Sequence, residues 1–342
     1  MTDARHSRSE LFSGIGPDGQ RRIAGTSLAI VGVGAIGSVA AEIAVRSGFG
    51  SITLIDRDIV EESNLTRQFL FDEEDARAGM PKADAAARRL GRIDARTKLE
   101  PVVTDLSFRN VDELLPGHDV LFDGSDNFET RLLVSDFGKK NGVPTVYAGA
   151  VGAQGLVSVS MPTPDWPCLR CYLGALPPAG SSPTCDTEGI VPSLPGVVGS
   201  LAAGEAIRIA VGRKPSRGVL AFSVWEGDVR PVRAFAKASP SVNCDACHGR
   251  RYPALEGEGS SEVIRLCGRN AVQISAATRE APDFDRLERV LSPAFRVQRS
   301  AHVLSFTAEG AVLTLFSDGR CVVRGTEDFD RARSLYARYV GR

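Results

Sequence analysis

The sequence predicts an α/β fold: a doubly wound sheet extended by antiparallel strands and followed by a small C-terminal α+β module. Three observations support this. A glycine-rich turn, Gly32-x-Gly34-x-x-Gly37, joins an apolar run to a helical pattern. Apolar runs then alternate with helical patterns as far as residue 147, as in parallel sheets. From Ala153 the residues alternate between apolar and polar, which is typical of antiparallel strands.

The glycine turn predicts the first half of a Rossmann-like nucleotide site. Gly32 permits a tight turn, Gly34 lets a phosphate approach the backbone, and Gly37 lets the helix pack closely on the strand. The following helix offers free N–H groups and a positive dipole end to that phosphate. Asp56 ends the second apolar run, where a carboxylate can accept hydrogen bonds from ribose hydroxyls. Taken alone, this motif predicts a nicotinamide or flavin oxidoreductase.

The remaining elements follow from periodicity and from turn residues. A helix over residues 9–25 leads into the first strand, and a later helix over 197–211 is opened by Pro195 and closed by Gly212. The other predicted elements of this part are strands at 52–55, 99–103, 120–123, 145–147 and 156–161, helices from 82 and over 131–140, and a hairpin of 219–225 with 229–235.

The chain divides into a domain of residues 1–252, a linker of residues 253–261, and a module of residues 262–342. The proposed linker begins with Pro-Ala-Leu-Glu-Gly-Glu-Gly-Ser, a composition typical of connecting segments. The module is predicted to contain strands in 263–274, 295–306, 312–316 and 321–325, with helices over 284–291 and 329–339.

Polar and cationic residues after Asp56 change the expected ligand. Asn64, Arg67 and Gln68 follow the second strand, and Lys82 opens the next helix. A dinucleotide enzyme has no general need for such a cluster, whereas a triphosphate site does. The guanidinium of Arg67 can bind phosphate oxygens in a fork, and Lys82 can stabilise charge on departing pyrophosphate.

The strand over 120–123 ends in acids, and Asp126 and Asn127 follow it directly. Oxygen ligands at this position can hold a divalent ion beside phosphates. The ordered set of Gly-x-Gly-x-x-Gly, Asp, Asn-x-x-Arg-Gln, Pro-Lys and Asp-Asn resembles the ThiF/MoeB/HesA family over residues 5–250. The resemblance implies an adenylyltransferase that uses ATP to activate the C-terminal glycine of a small ubiquitin-like sulfur-carrier protein.

The resemblance also implies individual roles. Asp56 would hold the ribose, Asn64, Arg67 and Lys82 the triphosphate, and Asp126 a Mg²⁺ ion. Arg8 matches an arginine that family members insert into the neighbouring subunit's ATP site, so a homodimer is expected, although His6 and Ser9 depart from that motif. The full expected nucleotide site is Gly32, Gly34, Gly37, Asp56, Asn64, Arg67, Gln68, Lys82, Asp126 and Asn127, with Arg67, Lys82 and Asp126 catalytic.

Four of the seven cysteines form two Cys-x-x-Cys motifs, Cys168/Cys171 and Cys244/Cys247. Two such motifs are typical of a tetrahedral zinc site, and four thiolates leave no position for substrate, so the Zn²⁺ would be structural. A redox pair and a disulfide are the alternatives. The polar N-terminus carries no secretory signal, so we expect a cytoplasmic protein, in which disulfides are disfavoured. Family members that activate sulfur carriers commonly have this zinc site.

Cys185 lies outside both motifs, in a run rich in turn-forming residues. Such a loop can expose a reactive thiol. In the family this segment passes near the carrier's C-terminus, and some members have a cysteine here that joins covalently to the carrier. We therefore include Cys185 as a candidate catalytic residue. The alternative is an ordinary loop cysteine.

Composition restricts the partners. The formal net charge is −1, which predicts no bulk attraction to nucleic acid, and no apolar stretch is long enough to span a bilayer. Three alternatives to carrier adenylation stay open: an ATP-dependent tRNA-modifying dehydratase of the same superfamily, an NAD-dependent oxidoreductase, and a pseudoenzyme that only binds a carrier. The sequence does not identify which pathway's carrier is served.

Overall fold

The computed structural model describes residues 4–174, 188–226, 240–258, 270–274 and 281–340, together with the backbone of 232–234 and 263–266. Two compact units are present. The first contains residues 1–178 and 189–259, and the second contains residues 179–188 and 260–342. Cys185 and Cys267 lie outside the described residues.

The first unit is built on an eight-stranded sheet of order β3-β2-β1-β4-β5-β6-β7-β8. The first five strands in that order pair in parallel, and the last three are added in antiparallel. The predicted doubly wound sheet with an antiparallel extension is therefore confirmed. The strands are β1 Ser27–Val31, β2 Ser51–Asp56, β3 Lys98–Val103, β4 Val120–Asp123, β5 Thr145–Val151, β6 Gln154–Ser160, β7 Val219–Ser223 and β8 Val232–Ala234.

Helices cover both faces of this sheet. In β1, Leu28 and Ile30 face one apolar core while Ala29 and Val31 face the other, as the two-residue period of a strand requires. Within the described residues, no helix combines the length and the apolar character needed to cross a membrane. The helices are α1 Ser7–Leu11, α2 Gly16–Gly25, α3 Ala35–Ser47, α4 Glu73–Ala78, α5 Lys82–Gly91, α6 Val111–Leu114, α7 Phe128–Asn141, α8 Leu169–Leu173 and α9 Leu194–Ala210.

The predicted helix over residues 9–25 is two helices. Gly16 has φ +63° and precedes Pro17. A proline disfavours the helical conformation in the residue before it, so the chain cannot continue helically into Pro17 and a new helix starts there. The break separates α1 from α2.

The second unit contains a six-stranded antiparallel sheet of order β11-β12-β13-β14-β10-β9, and among its described residues two helices pack on one apolar cluster. This confirms the α+β prediction. The predicted strand over 263–274 is instead an antiparallel pair, and Asn270 between the two strands has φ +45°. The elements are β9 Val263–Leu266, β10 Ala271–Ile274, α10 Phe284–Leu291, β11 Gln298–Arg299, β12 Val303–Ala308, β13 Ala311–Phe316, β14 Cys321–Arg324 and α11 Phe329–Tyr339.

Part of the proposed linker belongs to the first unit. Ala254 and Leu255 pack against the core beneath α6 and α7. The backbone N–H of Ala254 donates to Asp136 Oδ2 at 3.1 Å. The first unit consequently continues to Gly259, seven residues beyond the proposed domain end at residue 252.

Two glycines of α9 provide a matched test of its packing on α3. A Cβ added to Gly199 would lie 2.7 Å from Val39 Cβ and 2.9 Å from the Ile36 carbonyl oxygen, whereas a Cβ on Gly204 meets nothing within 4 Å. We expect Gly199→Ala to lower the free energy of unfolding by ~1–3 kcal/mol through overpacking. Gly204→Ala should raise it by roughly 0.5–1 kcal/mol, because alanine loses less backbone entropy in a helix.

Urea unfolding followed by circular dichroism measures both variants against the wild type. Equal effects of the two substitutions would show that close contact between α3 and α9 is not what the first unit requires.

Candidate active site and metal centre

The loops that follow β1 and β4 touch each other through backbone atoms. A Cβ on Gly32, which has φ +84°, would lie 2.9 Å from the Gly124 carbonyl carbon and from the Ser125 nitrogen. A Cβ on Gly37 would lie 1.9 Å from the Gly32 carbonyl oxygen, so only glycine fits. Gly34 differs, because the nearest atom to its added Cβ would be Gln68 Nε2 at 3.9 Å. Open space therefore lies over the centre of the glycine loop.

That space is at the N-terminus of α3. Gly34 occupies the N-cap position, and no side chain caps the helix. The first N–H groups of a helix have no intrahelical acceptor, and the helix dipole favours negative charge there. The loop and helix together therefore form a backbone site for an anion such as phosphate.

Asp56 is buried at the end of β2 beside this loop. Its Oδ2 accepts from the Val33 N–H at 2.7 Å, and its Oδ1 accepts from the Asp58 N–H at 2.8 Å. Burial raises the pKa of the Asp56 carboxyl, and the positive charge of Lys82 opposes that rise. Each carboxylate oxygen can accept a second hydrogen bond, so Asp56 retains capacity for a ribose hydroxyl.

Lys82 is buried at the start of α5, with its ammonium directed back to the loop after β2. Its Nζ lies 3.1 Å from Asp58 Oδ2, and its backbone N–H donates to the Asp58 carbonyl at 2.9 Å. Next to this pair, Arg57 Nη1 lies 3.3 Å from Asp105 Oδ1. A buried ammonium on the phosphate side of the sheet can stabilise anionic oxygens, and Asp58 fixes its position.

Asn64, Arg67 and Gln68 share one turn. The backbone N–H groups of Arg67 and Gln68 both donate to the Asn64 carbonyl, at 3.0 and 2.9 Å. Asn64 Oδ1 accepts from the Glu61 N–H at 3.0 Å, which leaves its amide nitrogen and one oxygen lone pair for a ligand contact. The guanidinium of half-buried Arg67 donates to the Ser63 carbonyl at 2.6 Å.

Gln68 provides a test of whether this site accepts a ligand. Its side chain is buried, and its Oε1 has no hydrogen-bond partner among the described residues. Buried polar atoms in native proteins are almost always paired, so an unpaired amide oxygen on a side chain that reaches Gly34 through its Nε2 indicates a missing partner. A polar ligand on the glycine loop satisfies this requirement.

The loop after β4 carries the proposed magnesium ligand. Asp123 is buried, and its Oδ1 accepts from the Ser125 N–H at 3.0 Å and from the Ser125 hydroxyl at 2.6 Å. Asp126 is exposed. Asn127 caps α7, because its Oδ1 accepts from the Thr130 N–H at 2.8 Å. An exposed carboxylate directly after a strand end is the type of oxygen donor that Mg²⁺ uses, so the donor fits that ion.

The glycine loop, Asp56, Lys82, Gln68 and the Asp126 loop are thus brought to the carboxyl edge of the parallel strands, around the point between β1 and β4. Ligands of doubly wound sheets bind at this position.

Arg8 is exposed on α1. Its expected role belongs to a neighbouring subunit, which a single chain does not contain.

A second centre is formed by the four predicted cysteines. All four Sγ atoms lie within 4.8 Å of one another. Three of the Sγ–Sγ distances are 3.5 Å (Cys168–Cys244), 3.7 Å (Cys171–Cys247) and 3.8 Å (Cys168–Cys171). Tetrahedral Zn–S bonds of about 2.3 Å give sulfur separations of about 3.8 Å, so this arrangement fits zinc. His248, directly after Cys247, is exposed and lies outside the cluster.

Helix α7 holds both cysteine motifs in place. Fully buried Asp136 accepts from Arg170 at 2.9 and 2.7 Å and also accepts the Ala254 N–H. One carboxylate therefore binds the helix of the first motif and the chain that follows the second. Lys139 Nζ donates to the carbonyls of Met161 and Trp166, at 2.8 and 2.6 Å.

Sequence reasoning missed three residues of these sites. In the sequence Asp58 is the second acid at the end of β2, but nothing in the sequence indicates that Lys82 is its partner. Arg131 and Asp136 lie on α7, and their partners are found only once the helix is folded. Arg131 has one local signal, its position four residues after the helix cap Asn127.

We expect protein purified without chelator to contain close to one zinc per chain. Cys168→Ala or Cys244→Ala should remove most of it and lower thermal stability, because binding of a structural metal contributes to folding. Cys321→Ala, which removes a buried thiol of the second unit, serves as the matched control and should leave the zinc content unchanged. Elemental analysis giving less than about half an equivalent for the wild type would contradict the assignment.

Comparison with known proteins agrees with the geometry. The sequence matches the ThiF family over residues 6–246. It is 37% identical to the sulfur carrier protein ThiS adenylyltransferase of Bacillus subtilis over 98% of this chain and 99% of that protein. It is also 35% identical to a sulfur carrier protein adenylyltransferase of Thermus thermophilus, over 67% of this chain and 86% of the relative.

Solved structures support the fold. The crystal structure of E. coli MccB with succinimide has a TM-score of 0.62 to this chain at 20% identity, over 72% of this chain and 74% of that one. Because the sequence match extends over most of the first unit, including the glycine loop, the first cysteine motif and Cys244, the chain belongs to the ThiF family.

Proposed function

We propose that this protein is an adenylyltransferase that uses ATP to activate the C-terminal glycine of a small ubiquitin-like sulfur-carrier protein. The proposal rests on one observation. The open glycine loop, the buried carboxylate of Asp56 and the buried ammonium of Lys82 lie together at one edge of the sheet. The near full-length likeness to a ThiS adenylyltransferase indicates the class of substrate. The reaction prepares the carrier for sulfur transfer.

In this proposal the first unit binds ATP across the point between β1 and β4. The backbone of Gly34 and the N-terminus of α3 bind phosphate, and Asp56 accepts the ribose hydroxyls. The amides of Asn64, Gln68 and Asn127 supply further polar contacts. Gln68 is supported most directly, because its buried Oε1 lacks a protein partner among the described residues.

The chemistry is an in-line displacement. The carboxylate of the carrier's terminal glycine attacks the α-phosphorus of ATP, a new O–P bond forms, and the bond to the bridging oxygen of pyrophosphate breaks. Arg67 and Lys82 stabilise the negative charge that leaves with pyrophosphate. Positioning of the two substrates supplies the rest of the rate enhancement, so no nucleophile of the enzyme is required.

Asp126 would hold Mg²⁺ at the mouth of this site. When bound, that ion supplies charge neutralisation to the phosphates. The cysteine cluster would hold Zn²⁺ with a structural role, since four thiolates complete its coordination. Cytoplasmic location and a homodimer in which Arg8 reaches the partner's site complete the proposal.

Carrier-dependent exchange between ATP and radiolabelled pyrophosphate tests the three proposed catalytic residues. We expect Arg67→Ala, Lys82→Ala and Asp126→Ala each to lower the exchange rate on the order of 10²-fold or more, because each removes a charge that stabilises the transferring phosphate. Arg46→Ala is the control, since Arg46 pairs with Glu42 on exposed α3 surface, and should keep wild-type activity.

Full exchange activity in folded Arg67→Ala and Asp126→Ala proteins contradicts the assignment. Tight, specific NAD binding by the wild type, without exchange, would instead favour the oxidoreductase alternative.

Cys185 has no role in adenylation under this mechanism, because the carrier's own carboxylate is the nucleophile. We expect Cys185→Ser to keep pyrophosphate exchange near the wild-type rate. If the thiol acts, it acts afterwards, on the activated acyl group, and its thiolate would be the reactive form. Asp186 and Glu188 alongside disfavour that thiolate.

Mass spectrometry of enzyme turned over with carrier, ATP and a sulfur donor, without reductant, decides between the two roles. An adduct on Cys185 that is lost in the serine variant supports the covalent role. Sulfur transfer that continues in the variant, with no cysteine adduct, leaves Cys185 an ordinary loop residue.

A further inference from the structure

Ser125 is held through its N–H, its hydroxyl and its carbonyl. Its N–H and its hydroxyl donate to Asp123 Oδ1, and its carbonyl accepts from Arg131 through Nη2 at 2.9 Å and Nε at 3.3 Å. We refer to Asp123, Ser125 and Arg131 as the Ser125 clamp. A loop that only connects a strand to a helix does not need four hydrogen bonds to one of its residues. The residue they fix comes directly before Asp126.

The guanidinium of Arg131 is itself confined. Its Cζ lies 5.3 Å from the centre of the Phe128 ring and 5.1 Å from that of the Tyr147 ring. A Cβ on Gly149 would lie 3.8 Å from Arg131 Nη2 and 2.8 Å from the Tyr147 hydroxyl. The absence of a side chain at Gly149 therefore leaves room for Arg131 and Tyr147. Two aromatic faces and a forked donation to one carbonyl give the guanidinium a single orientation.

The charges of Asp123 and Arg131 also indicate that Arg131 fixes this loop. Burial raises the pKa of the Asp123 carboxyl, and Arg131 is the main group that opposes the rise. The positive charge of Arg131 therefore favours the ionised form of Asp123, whose Oδ1 accepts both hydrogen bonds from Ser125. Loss of the guanidinium would weaken the clamp on the carbonyl side directly and on the amide side through Asp123.

We propose that Arg131 is a positioning residue for adenylation, which through the Ser125 clamp fixes the Gly124–Asn127 loop so that Asp126 is oriented to hold the divalent ion against the glycine loop. The inference rests on the proposed function. The backbone contact between Gly32 and Gly124 supports it, because that contact sets the loop directly against the phosphate site. Partners that orient metal ligands in this way typically change metal affinity by about 10–100-fold.

Arg131→Met and Arg131→Lys test the proposal, with Phe137→Leu as a matched control. Phe137 is a buried residue of the same helix, so its substitution lowers stability without touching the clamp. Lysine keeps the charge beside Asp123 but cannot make the forked donation to the Ser125 carbonyl. If the methionine variant does not fold, the lysine variant carries the test.

Three measurements apply to each protein. Hydrogen exchange of the Gly124–Asn127 amides without ligand reports the clamp. Mn²⁺ binding in the presence of a non-hydrolysable ATP analogue reports metal affinity. The Mg²⁺ concentration for half-maximal pyrophosphate exchange reports function.

We expect Arg131→Met to lose amide protection in the loop, to weaken Mn²⁺ binding by about tenfold or more, and to raise the Mg²⁺ concentration for half-maximal exchange by a similar factor. The exchange rate at saturating Mg²⁺ should change less. Arg131→Lys should lie between Arg131→Met and the wild type.

The proposal is overturned if both Arg131 variants match Phe137→Leu in loop protection and Mn²⁺ affinity. Failure of the proposed function would look different. In that case the wild type itself would show no carrier-dependent exchange, while hydrogen exchange of the loop amides would still report the clamp.

Discussion

The contact between the loops after β1 and β4 is the constraint on which the candidate site depends. Gly32, Gly37 and Gly124 meet with no room for a Cβ at two of the three positions, since the added atoms on Gly32 and Gly37 would lie 2.9 and 1.9 Å from backbone. Because these two loops are in van der Waals contact, the glycine loop and the Asp126 loop share one edge of the sheet. A side chain at Gly32 would push the two loops apart, and one at Gly37 would push α3 away from the glycine loop.

Buried aspartates organise the rest of this unit. Asp56, Asp123 and Asp136 are each at most 8% exposed, and each accepts at least one backbone N–H. A buried carboxylate is costly unless it is hydrogen-bonded and balanced by a cation. Here Lys82, Arg131 and Arg170 provide that balance, so the same acid–cation pairing occurs three times: at the end of β2, at the Asp126 loop and at the cysteine cluster. Removing one cation leaves an acid without charge compensation.

The sequence predicted the parts of the protein that depend on local signals. The glycine turn, most of the strands of the first unit and the cysteine motifs follow from spacing within a few residues. The break before Pro17 was missed, although the proline is a local signal for it. The partners of Arg170 and Ala254 could not be predicted, because Asp136 lies 34 positions from the first and 118 from the second. A charged residue within an apolar helix gives no indication of which distant group it binds. The same is true of Lys82 and Asp58, which are separated by 24 positions.

Helix α7 joins the two centres. Its first turn carries Arg131, which holds the Asp126 loop, and its later turns carry Asp136 and Lys139, which hold the segments leading to and from the cysteines. An α-helix of 14 residues is a stiff element about 21 Å long, so a displacement at one end is transmitted to the other. The cysteine cluster is therefore joined through α7 to the candidate active site. A metal bound by the four cysteines would fix the segments that Asp136 and Lys139 hold, and so the helix whose first turn holds the Asp126 loop.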